Sequence, residues 1–438
     1  MSGTGTRLRA AFFAALFVGC AASAGAQMPA SDGTLPSGVR YEVRADPAQP
    51  AAAVALWFRA PASGFDGSPV PGLSRLAALT VSASPPITGT PLTQLVEGWG
   101  GRLGVGAYPD SVSVTALVPP DRVRAAVRAL TADYFAPVAT PDGLKLAQRD
   151  TADDVLLRSF GPEAIEDALG GALFATGPLH DGTLGTIPSL ASVPFERVRA
   201  YAERAFRPSN AILVLTGNVA PAALADVAAR AGAMPDAAEA PAPQTPRTTP
   251  GAEHRDAGIA GTGLGWIGPP IANEADATAM DFLADALFAQ RTGSVQRALG
   301  STKAFVTGRF VTYRDPGVFL VTITGEEAAA ARPIVERAIA AAATPMPRPA
   351  FESARAGFVY RLLQDMDTPA DTADTFGWYA VEGGASYAPA EGAASGRYFE
   401  IAGRLTPEAV AHAAATYLGR RPAEVTTAPA QPPKGRTT

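Results

Sequence analysis

Cysteine is almost absent from this sequence of 438 residues, which contains only Cys20. Because Cys20 lies in an N-terminal segment typical of export signals, the folded part of the chain has no disulfide and no thiol nucleophile. Histidine is nearly as rare, with His180, His254 and His412. None of them has a second histidine three or four residues away. The sequence therefore lacks the paired histidines with which a helix commonly binds zinc.

The sequence also lacks an excess of positive charge and a long apolar run after its N-terminus. Its 36 lysines and arginines stand against 41 acidic residues, for a net charge of −5. That balance gives no basic surface for nucleic acid, which we exclude as a partner. No later segment has about 18 uninterrupted apolar residues, so we predict no transmembrane helix. A Gly-x-Ser-x-Gly elbow is absent, and the glycine-rich residues 100–106 lack phosphate-loop spacing.

Residues 1–26 are predicted to be an export signal. Two arginines precede a short apolar run at residues 10–19, and the small residues that end at Ala26 fit a cleavage site. Cleavage there would leave a periplasmic or secreted protein. The alternative is lipidation at Cys20, which would make the chain an outer-membrane lipoprotein, because the residues before Cys20 loosely resemble a lipoprotein box.

Hydrophobic residues make up 47% of the chain, enough for large packed cores. A stretch rich in proline and alanine, residues 235–257, has no apolar period and is predicted to be an exposed linker. It separates an N-terminal domain at 36–234 from a C-terminal domain at 258–425. Residues 426–438 are predicted to be a flexible tail.

The two halves repeat the same order of predicted elements. A strand at 112–118 precedes a helix at 121–135, and a strand at 318–324 precedes a helix at 329–342. Each pair is followed by a long helical region and by a closing helix with Arg-Pro after it. This order predicts a duplicated α+β fold, in which each half is a mainly antiparallel sheet with packed helices.

Residues 72–80 begin Gly-Leu-Ser-Arg-Leu-Ala-Ala-Leu. They resemble the zinc helix of insulinase-like (pitrilysin family) metallopeptidases, which normally reads Gly-Leu-Ala-His-x-x-Glu-His. Residues 90–101, 184–190 and 206–219 resemble further segments of the family in the family's order. The resemblance to the bacterial two-domain type covers about residues 36–425, and it implies the duplicated two-domain insulinase-like fold.

The resemblance implies that the metal site has been lost. In the family the two histidines bind zinc and the glutamate is the general base. Here Arg75 stands at the first histidine, Ala78 at the glutamate and Leu79 at the second histidine, while Leu157 stands at the third ligand position. The aspartates at 153–154 are close, but carboxylates without two imidazoles make a poor zinc site. We expect no catalytic residue and no cofactor in this chain, with zinc only in a partner chain.

The family also uses an arginine and a tyrosine of its second half, seven residues apart, to hold substrate. The comparable residues are Arg297 and Phe305, which are candidate substrate-binding residues. Phe305 lacks the tyrosine hydroxyl, and the spacing is one residue longer than in the family. The alternative is a helix-end arginine and a core phenylalanine.

These expectations describe a non-catalytic peptidase-like subunit. It would pair with a zinc-bearing insulinase-like paralogue, form a peptide-degrading chamber with it and assist peptide binding. One alternative is a stand-alone periplasmic scaffold or peptide-binding protein. Another is an active zinc metalloendopeptidase with unusual ligands, which would require His180 or His412 within metal-bonding reach of a carboxylate.

Overall fold

The computed structural model describes residues 30–65, 67–86, 89–183, 185–228, 243–384 and 396–429. The predicted export signal with its Cys20 and Ala26 sites lies outside these ranges, as do residues 229–242 and 430–438. Within the described ranges, no helix is both long enough and apolar enough to cross a bilayer.

Two large sheets and the helices around them form the described part of the chain. In chain order the strands are β1 (Ala30–Thr34), β2 (Arg40–Ala45), β3 (Ala52–Arg59), β4 (Arg102–Ala107), β5 (Ser111–Val118), β6 (Phe174–Thr176), β7 (Ala211–Gly217), β8 (Thr245–Pro246), β9 (Ala252–Asp256), β10 (Gly261–Ile267), β11 (Phe305–Val311), β12 (Val318–Thr324) and β13 (Ala423–Ala428). The helices are α1 (Leu73–Ala83), α2 (Leu92–Gly98), α3 (Val123–Phe135), α4 (Pro141–Ser159), α5 (Glu163–Leu173), α6 (Pro178–Asp181), α7 (Ile187–Ala191), α8 (Phe195–Ala205), α9 (Glu274–Phe288), α10 (Ser294–Leu299), α11 (Ala328–Ala341), α12 (Arg348–Gln364), α13 (Pro369–Glu382), α14 (Arg397–Arg404) and α15 (Pro407–Leu418).

The first sheet has the strand order β1-β2-β7-β3-β5-β4, in which only the β2–β7 pair is parallel. Its central strand β3 is an apolar run whose two faces are both buried. Leu56 and Phe58 face the core formed with α1, α3 and α8, and Trp57 faces the opposite core. A continuous apolar strand of this kind is typical of a sheet that is covered on both faces.

The second sheet repeats the first, with the order β11-β12-β10-β13-β9 and one parallel pair, β13–β9. Strands β9, β10, β11, β12 and β13 thus correspond to β2, β3, β4, β5 and β7. Both halves also place two helices between corresponding strands, α1 and α2 between β3 and β4, and α9 and α10 between β10 and β11. The duplicated α+β fold with mainly antiparallel sheets, predicted from the order of elements, is confirmed.

The two halves exchange one helix each. Helix α5 of the first half packs on β10, β12 and β13, and helix α13 of the second half packs on β3, β5 and β7. Glycine makes room for both contacts. A methyl group at Gly263 in β10 would overlap Ile165 of α5, and one at Gly377 in α13 would overlap the indole of Trp57. The sheets are therefore covered on their second faces by helices from the other half.

The stretch predicted as a linker contains secondary structure in its described part. Strand β8 pairs with β6, and the backbone N–H of Arg247 donates to the carbonyl of Leu173 at 2.8 Å. Strand β9 belongs to the second sheet, so that unit begins at Ala252, ahead of residue 258. Strand β13 likewise continues to Ala428, beyond residue 425. Strand β9 is an edge strand, and its residues are mostly polar and exposed. A search for alternating apolar residues therefore does not detect it.

Candidate functional site

Helix α1 occupies the segment that resembles the zinc helix, and its inward face is apolar. Gly72 precedes it with a φ of 90°, a left-handed conformation that glycine adopts without strain. Leu73 and Leu76 are buried in the first core. Ala78, at the position of the family's glutamate, is fully buried, and its carbonyl accepts a hydrogen bond from the Tyr134 hydroxyl at 2.8 Å. This position contributes packing and offers no general base.

Arg75, at the position of the first histidine, joins α1 to two other elements. Its Nη1 donates to the carbonyl of Val105 in β4 at 2.6 Å, and its Nη2 forms an ion pair with Asp154 of α4. Burial lowers the pKa of Arg75, and the nearby Asp154 carboxylate opposes that effect. The guanidinium therefore links α1, β4 and α4 through a charge-assisted network.

Strand β4 is the open edge of the first sheet, and Arg75 occupies part of that edge. The Tyr108 N–H donates to the Ser111 carbonyl at 2.9 Å, which makes these two residues a hydrogen-bonded pair of the β4–β5 hairpin. Because such pairs alternate along an antiparallel ladder, the backbone groups of Val105 point away from β5. The Val105 carbonyl would face any strand added at this edge, and a side chain of the same molecule already bonds it.

The third predicted ligand position lies away from this network. Leu157 is on α4, with 73% of its surface exposed, whereas Asp154, one turn earlier, faces Arg75. Leu79 is partly buried against the first core. Ala78, Leu79 and Leu157 carry no metal donor, and the Asp154 carboxylate is held by a cation. The residues at this site do not fit a zinc ion.

The histidines do not supply a replacement. His180 Nδ1 lies 3.0 Å from Asp181 Oδ1, and the other oxygen of Asp181 accepts a hydrogen bond from Ser63 at 2.8 Å. His254 is on β9, and His412 is exposed on α15. No three His, Cys, Asp or Glu side chains in the described ranges come together as a metal site. One imidazole beside one carboxylate, as at His180, falls short of the three protein ligands of a catalytic zinc.

The structure does not bring Arg297 and Phe305 together. Arg297 is exposed at the end of α10 and donates to the carbonyl of Thr292. Phe305 is 75% exposed at the start of β11, so the interpretation of Phe305 as a core residue is wrong. It shares a strand face with Arg309, which bonds Glu166 of α5. Phe305 therefore lies on the face that carries α5, while α10 packs against α9 and α11 on the other face.

A cavity of about 300 Å³ lies between the halves and was not found from the sequence. Its walls come from the β4–β5 turn, α5, the β11–β12 hairpin and α13. Arg309 Nε donates to Glu166 at 3.1 Å, and the Tyr108 hydroxyl donates to Asp374 at 3.0 Å. The Trp378 ring stands 4.9 Å from that of Tyr108. No local motif predicts this cavity, because its walls are far apart in the chain.

A buried carboxyl pair also joins the halves. Asp110, in the β4–β5 turn, is hydrogen-bonded to Glu382 at the end of α13. The backbone N–H of Arg314 donates to Glu382 at 2.9 Å. Burial and the neighbouring Asp110 raise the pKa of Glu382 well above its ordinary value, and burial also raises that of Asp110, so the two carboxyl groups hold a proton between them. Burial and other arginines lower the pKa of the adjacent Arg59 to about 10.

The fold and this site define a class of protein: a duplicated two-domain α+β chain in which the helix that resembles a zinc helix carries packing residues and an ion pair in place of metal ligands. Residues 192–355 match the family model described as the peptidase M16 inactive domain. A search of curated proteins finds no match.

Solved structures share the fold over nearly the whole chain. A putative M16-like peptidase from Alicyclobacillus acidocaldarius has a TM-score of 0.74 and 16% identity, covering 92% of this chain and 99% of its own. A peptidase M16 inactive domain from Pseudomonas fluorescens has a TM-score of 0.74 and 17% identity, covering 93% and 99%. A chain of complex III2 from Candida albicans, bound to Inz-5, has a TM-score of 0.73 and 12% identity, covering 90% and 94%. The chain thus has the fold of M16-like peptidases, and its residues 192–355 are similar to the inactive domain of that family, in line with the resemblance found in the sequence, which also lacks the His-x-x-Glu-His motif.

Proposed function

We propose that this chain is a non-catalytic, peptidase-like subunit that pairs with a zinc-bearing paralogue and forms a peptide-degrading chamber with it. The observation that carries the proposal is the network of Arg75 with Val105 and Asp154. It fills the metal position with a cation of the chain itself, while the two-domain fold is retained. A chain with this site can supply enclosing surface and contacts, and its partner supplies the metal.

A role for such surface follows from the physical chemistry of a closed chamber. Cleavage inside it requires that the substrate be held in position and that bulk water be excluded. Both requirements extend over far more surface than the metal ligands occupy. The α5 side of β11, which includes Phe305, Thr307 and Arg309, is one exposed surface suited to assisting peptide binding.

Export is part of the proposal. Cleavage after Ala26 would place the subunit in the periplasm or outside the cell, and lipidation at Cys20 would instead place it on the outer membrane. Pairing is supported by analogy, because the Candida albicans chain with this fold is part of a complex.

The test uses the mature chain from Gln27, alone and together with candidate zinc-bearing paralogues, above all one encoded next to it. Bound zinc is measured by elemental analysis, and cleavage is measured with quenched fluorescent peptides. We expect the isolated chain to hold no stoichiometric zinc and to cleave nothing, and we expect it to raise the cleavage rate of its partner. Stoichiometric zinc together with cleavage by the isolated chain would falsify the proposal.

A second candidate function is a stand-alone peptide-binding or scaffold protein. The cavity between the halves favours it, because that cavity exists within a single chain. Two observations distinguish the candidates. A neighbouring gene with an intact His-x-x-Glu-His motif and co-purification with its product support the subunit. A chain that purifies from its host without a homologue, and still binds peptides, supports the stand-alone protein.

A further inference from the structure

Two cavities adjoin, one between the halves and one within the second half. The cavity already described has a volume of about 300 Å³, and a second, of about 360 Å³, lies beside it. Arg309, Val311 and Trp378 line both. The second cavity extends toward α9 and α12. Because they share these three residues, the two cavities are together called the interdomain groove below, and each has enough volume for an extended side chain.

Carboxylates outnumber cations along the interdomain groove. Each arginine in its lining already has an acidic partner, the pairs being Arg158–Asp167, Arg309–Glu166 and Arg361–Asp285. Three further carboxylates line the groove and form no salt bridge with any described residue: Asp281, Asp365 and Asp374. The paired charges largely cancel, so ionisation of these three gives the cavity surface a negative potential, which its low-dielectric walls strengthen.

Aromatic rings form a corner beside one of these carboxylates. The Trp378 ring meets those of Tyr108 and Tyr313 at 64° and 61°, with centroid separations of 4.9 Å and 5.5 Å. Trp378 is fixed by a hydrogen bond from its Nε1 to Thr312 at 3.2 Å. Asp374 accepts the Tyr108 hydroxyl at the same corner. The Tyr313 hydroxyl has no hydrogen-bond partner among the described residues.

We propose that the interdomain groove binds an organic cation, namely the ammonium or guanidinium group of a basic peptide side chain. This inference rests on the proposed role in peptide binding and names the substrate class. An ammonium group in the aromatic corner would meet the face of a ring and the Asp374 carboxylate together, the combination that favours cations in proteins. The stem of a lysine or arginine would lie along Val311 and the rings.

The raised pKa values of carboxyl groups in the interdomain groove support the assignment of a cation as its ligand. Burial raises the pKa of Asp374 and Asp281, that of Asp281 to about 7, because no cation stabilises their ionised forms. A bound cation would lower both values. Binding of a basic ligand should therefore strengthen as the pH rises and these carboxylates ionise, with release of protons.

The experiment uses two probes, Nα-acetyl-lysine amide and the same compound acetylated at Nε. Their binding to the mature chain is measured by calorimetry and tryptophan fluorescence. The variant Asp374→Asn removes one charge and keeps an oxygen to accept the Tyr108 hydroxyl. Because part of Asp374 reaches solvent and asparagine has the same size, this variant should fold. The matched control is Asp142→Asn on α4, a carboxylate with 90% of its side chain exposed and outside the groove lining.

We expect the charged probe to bind and the Nε-acetylated probe to bind much more weakly. Asp374→Asn should weaken the charged probe by about 3- to 30-fold, and Asp142→Asn should leave it unchanged. The inference would be overturned if the two probes bound equally, if both variants lost the same affinity for the charged probe, or if the charged probe did not bind. None of these outcomes bears on zinc content or on cleavage with a partner, so failure here is distinguishable from failure of the proposed function.

Discussion

Arg75, which the sequence resemblance aligns with the first zinc histidine, joins helix α1 to β4 and α4. Its side chain is 16% exposed and its partner Asp154 37% exposed, so the ion pair is shielded more than a surface pair but less than a core pair. Pairs of this kind contribute mainly by satisfying groups that would otherwise lose their hydration. The sequence placed Arg75 at the lost histidine, but it did not identify Val105 or Asp154 as its partners.

The first prediction concerns the variant Arg75→Ala. It leaves the Asp154 carboxylate without its cation and the Val105 carbonyl without its donor, so we expect a loss of about 1–3 kcal/mol in the free energy of unfolding. Urea denaturation measures it. The control is Arg199→Ala, which removes only surface pairs with Glu196 and Glu203 and should cost much less. Equal losses in the two variants would refute the role given to Arg75.

The second prediction concerns Asp281, which accepts the hydroxyls of Tyr398 at 2.6 Å and Tyr379 at 3.3 Å. Burial raises its pKa to about 7. The native state therefore binds this proton more tightly than the unfolded state does, and the stabilising contribution at low pH is lost as the pH rises through 7. Relative to Asp281→Asn, the native protein should lose about 1 kcal/mol or more between pH 5 and pH 8. Parallel denaturation curves for the two proteins at these pH values would contradict this.

The exchange of α5 and α13 is the main feature at the scale of elements. Each helix is buried because the other half supplies its partner strands. Glycines at 261, 263 and 265 of β10 leave a flat path for α5, and Gly377 of α13 leaves space for Trp57. A glycine in a strand commonly marks close approach of another segment. The alternating glycines of β10 therefore indicate, from the sequence, that a helix packs closely on this strand. Periodicity alone does not identify that helix as α5.

The third prediction follows from that close approach. In Gly377→Ala the added methyl group would overlap the Trp57 indole, which is fully buried and has no space to move. We expect a loss of about 1–3 kcal/mol, measured by thermal or urea unfolding. The matched control is Gly403→Ala in α14, where a methyl group meets nothing within 4 Å. That variant should stabilise by up to about 1 kcal/mol, because alanine is the better helix former. Similar effects from both substitutions would show that the contact is not tight.

Local sequence patterns predict most of the helices and strands but few of the contacts between elements that are distant in the chain. The strand predicted at 318–324 has these bounds in the structure, and the helix predicted at 121–135 ends at Phe135, as α3 does. Their signals lie within a few residues of the element. Strand β9 was missed, because its partner β13 follows about 170 residues later. The interdomain groove was missed for the same reason.

At the scale of the whole molecule, the exchanged helices and the Asp110–Glu382 pair make the two halves one folding unit. If the halves separated, each sheet would lose the helix that covers its second face, and the Asp110–Glu382 pair would be broken. A shared proton allows two carboxyl groups to lie together among arginines without mutual repulsion. The interface therefore depends on the protonation of Glu382 as well as on apolar contact.

The last prediction tests that interface. Glu382→Gln keeps a donor for Asp110 and an acceptor for the Arg314 N–H, so its stability should be close to the native value at neutral pH. Because the raised pKa of Glu382 means that its stabilising contribution falls as the pH rises from the ordinary carboxyl pKa to the raised value, the Glu382→Gln variant should gain stability relative to the native protein over that range.

Asp110→Ala should instead cost about 2–4 kcal/mol, since it leaves Arg59 and Arg314 without the Asp110 carboxylate in a buried site. Hydrogen exchange at the β4–β5 turn and the β11–β12 hairpin should then accelerate together, because the pair holds both against each other. Faster exchange in only one of these segments, or a native-like stability of Asp110→Ala, would show that the halves are held by the exchanged helices alone.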